Sequence, residues 1–146
     1  MIHEGIPKIT DFGDGKEMGL TTSHKSGVMG AICYLDPQRC GNQKFNDNYK
    51  LQKPSDIYSL GVIFWQIFSG RKPFEDEKRN IGAWKIFEEI SKGKRESAMI
   101  HIPKRFIQLY ETCWHSDPKT RPTIAKVVKR CKEIVENPAQ KGIFAF

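Results

Sequence analysis

At 146 residues the chain suits one compact domain and is too short for two independent cores. Apolar residues at 38% and charged residues at 28% exclude a disordered or collagen-like chain, and the longest apolar run, residues 57–68, is broken by Tyr58, Ser59 and Gln66 and is too short to span a bilayer. Twenty-four Lys and Arg against 17 Asp and Glu give a formal charge of +7, but the cations are scattered, so a solvated surface is favoured over attraction to a polyanion.

The N-terminus, MIHEGIPK, has no basic start followed by an apolar stretch, so no secretory signal is expected. The four cysteines, Cys33, Cys40, Cys113 and Cys131, include no C-x-x-C pair. His115 follows Cys113 by two residues without a second pair to complete a zinc set. Reduced thiols in a cytoplasmic or nuclear protein are expected.

In chain order, Ile2, Ile6 and Ile9 around Gly5 and Pro7 predict a short strand or hairpin. From Asp11 to about Gln52 the chain is rich in Gly, Thr, Ser, Asn and Lys without a sustained period. It reads as a long loop with short ordered pieces, which in a compact domain signals function or disorder. Helical signals dominate from Pro54. Ser55 is the expected N-cap, Asp56 suits the positive end of the helix dipole, and Gly70 is placed as the stop. Between them lie Ile57, Leu60, Val62, Ile63, Phe64, Trp65, Ile67 and Phe68. Their burial is worth on the order of 12–24 kcal/mol before chain entropy is subtracted, which predicts a central helix covered on all sides.

Ile81, Trp84, Phe87 and Ile90, spaced by three, predict a second helix over 80–92. A third is predicted over 104–114, with Ile107, Tyr110, Cys113 and Trp114 facing inward. Asp117-Pro118 and Arg121-Pro122 are turn signals, after which Thr123 caps the last helix. Ile124, Val127, Val128, Cys131, Ile134 and Val135 form its apolar face, and Asn137-Pro138 ends it. Residues 138–146 are a weakly specified tail.

Asp11-Phe12-Gly13 follows an apolar strand and opens the long loop. A carboxylate there, backed by a glycine that bends freely, suits Mg²⁺, a hard cation that favours oxygen ligands; the alternative is an ordinary turn. Further on stand Gly30-Ala31-Ile32-Cys33-Tyr34-Leu35-Asp36-Pro37-Gln38, Ser55-Asp56-Ile57-Tyr58-Ser59-Leu60-Gly61-Val62, and the run from Cys113-Trp114 through Asp117-Pro118 to Arg121-Pro122-Thr123. In this order and spacing the four motifs resemble the C-terminal part of the eukaryotic protein kinase catalytic domain, from the strand before the metal-binding tripeptide to the last helix. The resemblance covers residues 1–137. The Cys-Trp pair and Arg-Pro-Thr are similar to the tyrosine-kinase-like group, and Tyr34 before Leu35-Asp36-Pro37 leans toward Ser/Thr specificity.

The resemblance implies a mainly α fold: a protein-kinase-like C-lobe with a short N-terminal β element and a long activation-segment loop. It implies transfer of the ATP γ-phosphate to protein Ser/Thr (or Tyr) hydroxyls, with ATP and Mg²⁺ as cofactors. Asp11 would be the metal ligand, with Phe12 and Gly13 beside it. A protein substrate, or a kinase or scaffold, would be the partner; neither a membrane nor nucleic acid is expected. The glycine-rich loop, the nucleotide lysine and the catalytic loop would belong upstream of Met1, and no His-Arg-Asp occurs in the sequence. Phosphoryl transfer needs several groups acting together, so no catalytic base is assigned and the chain alone is expected to have little or no activity. The alternative is a non-catalytic, kinase-derived interaction module.

Two departures stand out. Gln38 occupies the place of the family's Glu, which forms a buried ion pair with the Arg matching Arg121; an amide can bond the guanidinium but cannot balance its charge, which leaves water or another acid, Asp36 being one candidate. Ala31 replaces a hydroxyl residue common in Ser/Thr members. Asp56 matches a carboxylate that in the family bonds the catalytic loop; here it must find other partners, stay hydrated, raise its pKa or cap its own helix. Absent covering elements also imply an exposed apolar patch beside that helix. Thr21, Thr22, Ser23 and Ser26 are candidate phosphorylation sites, or parts of a hydrophilic loop.

Overall fold

The computed structural model describes residues 2–10, 31–40, 46, 49–50, 52–100 and 102–136. Two strands, β1 (Ile2–His3) and β2 (Ile6–Pro7), pair antiparallel with Ile2 opposite Pro7 and His3 opposite Ile6. Glu4 and Gly5 join them with φ of 50° and 73°, the positive values a two-residue hairpin turn requires. Ile2, Ile6 and Ile9 are all exposed.

The remaining elements are helical: α1 (Lys53–Ser69), α2 (Glu75–Ile81), α3 (Ala83–Ser91), α4 (Lys104–Cys113) and α5 (Ile124–Val135). The mainly helical fold with a small β element matches the expected class. Much of the expected long loop, at 11–30, 41–45, 47–48 and 51, and the tail 137–146 lie outside the described residues.

Helix α1 lies between two apolar clusters. Tyr58, Val62 and Trp65 enter one, with Ile32, Cys33, Ile86, Phe87, Ile90, Tyr110 and Trp114. Ile57 enters the other, with Phe106, Leu109, Cys113, Val127 and Ile134. Its main neighbour is α4, and the two approach closely at Gly61. A methyl group on Gly61 would stand 2.8 Å from Cys113 Cβ and 2.9 Å from the Trp114 nitrogen, so this crossing needs a residue without a side chain.

Several expectations are corrected. Ser55 does not cap α1: the helix begins at Lys53 after an extended Gln52, with proline in the first turn, and the Ser55 hydroxyl is buried in a hydrogen bond with the Tyr49 hydroxyl. Asp56 does not cap it either, being exposed with no side-chain hydrogen bond among the described residues. Nor is α1 covered all round. Ile63 and Ile67 are 41% and 66% exposed and continue the face that Asp56 begins.

The predicted helix over 80–92 is two helices, because Gly82 takes φ 85° and breaks the ladder between Ile81 and Ala83. The inward residues of α3 are Ile86, Phe87 and Ile90, while Ile81 is half exposed. In α4 the buried face is Phe106, Leu109, Tyr110 and Cys113, with Ile107 only partly covered. Helix α5 buries Val127 and Ile134 alone; Ile124, Val128 and Val135 of its expected face are exposed.

Gly70 does end α1, in the left-handed conformation at φ 65°, with its N–H on the Gln66 carbonyl at 2.9 Å. Thr123 does cap α5, accepting the Lys126 N–H at 3.4 Å.

Candidate functional site

The segment 31–40 is moored to α1. Pro37–Arg39 form one 3₁₀ turn, capped by Asp36, whose Oδ1 accepts the Gln38 N–H at 3.0 Å. Tyr34 donates its hydroxyl to Gln66 Oε1, and the Ser59 hydroxyl donates to the Tyr34 carbonyl at 2.7 Å. Ile32 and Cys33 enter the core beneath.

Arg121 reaches this segment from the other end of the chain. A second 3₁₀ turn, Pro118–Thr120, is capped by Asp117 and delivers Arg121 in extended conformation. Its guanidinium meets the Asp36 carboxylate end-on, with Nη1 on Oδ2 at 2.6 Å and Nη2 on Oδ1 at 3.2 Å. The remaining N–H groups go to carbonyls: Nη1 to Pro54 at 2.9 Å, Nη2 to Ser116 at 3.2 Å and Nε to His115 at 2.8 Å. These contacts occupy all five guanidinium donors. Both side chains are sealed from water, at 0% and 1% exposure.

Two cations share one aromatic ring beside this pair. Tyr58 has the Arg121 guanidinium 5.1 Å and the Arg95 guanidinium 5.3 Å from its ring centre. Burial pushes the Tyr58 phenol up to about 12, against the pull of Arg95 and Arg121. Arg95 also donates to the carbonyls of Trp114, Ile90 and Lys94 and to the Ser116 hydroxyl. Reading the scattered cations as solvated surface misses this role of Arg95. Besides the neighbouring Ile90 and Lys94 carbonyls, its partners are distant in sequence, at residues 58, 114 and 116.

Of the residues singled out in the sequence, the structure joins Arg121 to Asp36. It leaves Gln38 exposed, contributing a backbone N–H to the carboxylate and no side-chain contact to Arg121. Asp56 stands apart on the exposed face of α1. Asp11, Phe12, Gly13, Thr21, Thr22, Ser23 and Ser26 all lie outside the described residues.

Among the described residues no group of three or more His, Cys, Asp or Glu could hold a metal ion. The four cysteines are free, and burial raises each thiol, Cys113 to about 11, so they rest in the unreactive protonated form at neutral pH. No helix of the described residues is long and apolar enough to cross a membrane. A cleft of about 560 Å³ opens beside Cys33 and Tyr34, bordered by Lys72, Lys78 and Arg79.

Comparison with known proteins agrees with the motif order. A family model described as "Protein kinase domain" matches residues 1–131. Receptor-interacting serine/threonine-protein kinase 4 of Mus musculus is 32% identical over 143 residues, covering 92% of this chain and 17% of that protein. Its Homo sapiens counterpart is 34% identical over 125 residues, covering 80% of this chain and 14% of the relative. Mitogen-activated protein kinase kinase kinase 7 of Bos taurus is 27% identical over 126 residues, covering 85% of this chain and 20% of the relative. The chain therefore spans a fifth or less of the length of these curated relatives.

Proposed function

The chain belongs to the protein kinase domain family, and from that premise we propose that it is the C-terminal lobe of a catalytic domain of the tyrosine-kinase-like group with Ser/Thr specificity. The observation that carries this reading is the sealed Asp36–Arg121 pair. It ties the segment that follows the loop to the turn before the last helix, where the resemblance calls for a carboxylate–guanidinium pair. Asp36 supplies the charge that Gln38 lacks. The serine/threonine kinase relatives support the choice of acceptor, and the cleft beside Cys33 and Tyr34 is a reasonable seat for a protein substrate.

Asp11, with Phe12 and Gly13, is assigned to the Mg²⁺ of MgATP. That ion would neutralise the phosphate oxygens. The described residues offer no further ligand set for it, and no catalytic base is assigned. On this reading the chain alone transfers little or no phosphate. The purified chain, incubated with radiolabelled MgATP and a generic protein substrate, should give background incorporation. Robust incorporation abolished by Asp11→Ala would overturn the assignment of inactivity.

A second reading, a non-catalytic interaction module, is favoured by the exposed Ile63 and Ile67 on the helix that otherwise forms the core. An in-frame coding stretch upstream of Met1 with a His-Arg-Asp loop and a glycine-rich loop favours the enzyme; stop codons there favour the module.

A further inference from the structure

Helices α4 and α5 leave a cleft of about 380 Å³ between them, away from the Asp36–Arg121 pair. Arg105, Gln108 and Thr112 line one wall, at the spacing that puts three side chains on one face of α4. Arg130 and Glu133 of α5 form the other, over the buried Ile134.

The charge arrangement here is unusual. Arg130 donates Nη1 to the Thr112 hydroxyl at 3.2 Å, and that hydroxyl is itself anchored on the Gln108 and Leu109 carbonyls. One of the five donors of Arg130 is thus spent on a neutral oxygen that fixes the side chain. Arg105 makes no hydrogen bond or ion pair among the described residues. Glu133 lines the same cleft but pairs with Lys129 at 3.9 Å instead of with either arginine. Two guanidinium forks, an amide and a hydroxyl therefore border one concavity with no carboxylate bonded to the forks.

Such a set matches a tetrahedral oxyanion. A guanidinium binds a phosphate through two parallel N–H···O bonds, and paired arginines are the recurring device for phosphorylated side chains. The size of the cleft argues for more than a bare ion. From Arg105 to Thr112 the α4 wall runs about 10 Å, room for a side chain with flanking backbone. The Gln108 amide can both donate to and accept from a peptide bond. We propose that the α4–α5 cleft binds a phosphorylated side chain of a partner protein, with Arg105 and Arg130 gripping the phosphate. This site is independent of the kinase reading: it uses neither Asp11 nor the nucleotide.

The test is fluorescence anisotropy on the full chain with a short labelled peptide carrying one phosphoserine, alongside its serine counterpart. The phosphopeptide should bind and the serine peptide should not. Arg105→Ala and Arg130→Ala should each weaken binding roughly tenfold or more. Arg105→Lys and Arg130→Lys, which keep the charge and lose the fork, should weaken it several-fold, covering the case in which an alanine variant misfolds. Glu133→Gln should tighten it, since a like charge is removed. Lys132→Ala, at a position that borders a different cleft with Ile124 and Val128, should change it less than about twofold. Equal binding of both peptides, or as large a loss with Lys132→Ala, would overturn the proposal by reducing it to general charge attraction. Displacement by inorganic phosphate at concentrations equal to the phosphopeptide would overturn the commitment to a protein partner.

Discussion

Asp36→Asn removes one charge from a pair that water does not reach. The variant keeps an oxygen for one guanidinium nitrogen but turns an NH₂ toward the other, leaving a buried cation uncompensated. Breaking a buried pair on one side costs about 3–5 kcal/mol, against a total stability of about 5–15 kcal/mol for an ordinary domain. Urea unfolding followed by the fluorescence of Trp65, Trp84 and Trp114 should register this as a midpoint lowered by ~1 M or more. Arg121→Met with Asp36→Leu removes both charges yet orphans the carbonyls of Pro54, His115 and Ser116. That double variant should therefore stay below wild type by about 1–3 kcal/mol rather than reach neutrality. Gln38→Glu restores the residue the family resemblance calls for. Because Gln38 is exposed and Asp36 already satisfies the guanidinium, it should shift stability by less than about 1 kcal/mol. The reasoning fails if Asp36→Asn costs less than about 1 kcal/mol, or if Gln38→Glu rescues it fully, because either result gives the charge balance to a group other than Asp36.

Gly61→Ala drives a methyl group onto Cys113 Cβ and the Trp114 nitrogen, so it should cost about 1–3 kcal/mol or more; a neutral result in the same urea assay would mean α1 and α4 are not in close contact. Tyr110→Phe removes a buried hydroxyl that has no hydrogen-bond partner among the described residues, and should be neutral or stabilising by up to about 1 kcal/mol. A clear loss would reveal a partner for that oxygen. Glu96 accepts the Phe74 N–H at 2.6 Å, yet burial raises its carboxyl above the ordinary 4.5. The folded state then holds its proton longer than the unfolded one, so this carboxyl's contribution is most favourable at low pH and is lost as pH rises through the raised value. Glu96→Gln keeps the acceptor without the charge, and thermal unfolding should find the variant gaining on wild type from about pH 4 to pH 7. A flat or opposite trend would refute this.

Much of the helical framework was legible because its signals are local. Gly70 stops α1 and Thr123 caps α5 through contacts within four residues. The failures trace to information that is not local. The split at Gly82 was hidden by an apolar repeat that runs through it, and the repeat pointed to Ile81 and Trp84 where the core took Ile86. Ser55 looked like a cap because serine caps helices, but a partner six residues earlier claims its hydroxyl. At the candidate site, the need for an acid opposite Arg121 was readable from the departure at Gln38, and Asp36 was the nearest substitute. Arg95 was not readable, since its burial depends on Tyr58 and Trp114, which only the fold brings near it.

The bond between residues 36 and 121 also constrains how the protein is made. A nascent chain on the ribosome has to wait for the Pro118 turn before Asp36 receives its cation, and for α4 before α1 has its main neighbour. Until then only the face of its most apolar helix that meets Ile32, Ile86, Phe87 and Ile90 can be covered, and the face that meets α4 stays open, a circumstance in which long-range pairing makes a polypeptide slow and prone to aggregate. Synthesis of this molecule should accordingly depend on holdase chaperones, and premature stop codons upstream of residue 121 should leave only material destined for proteolysis.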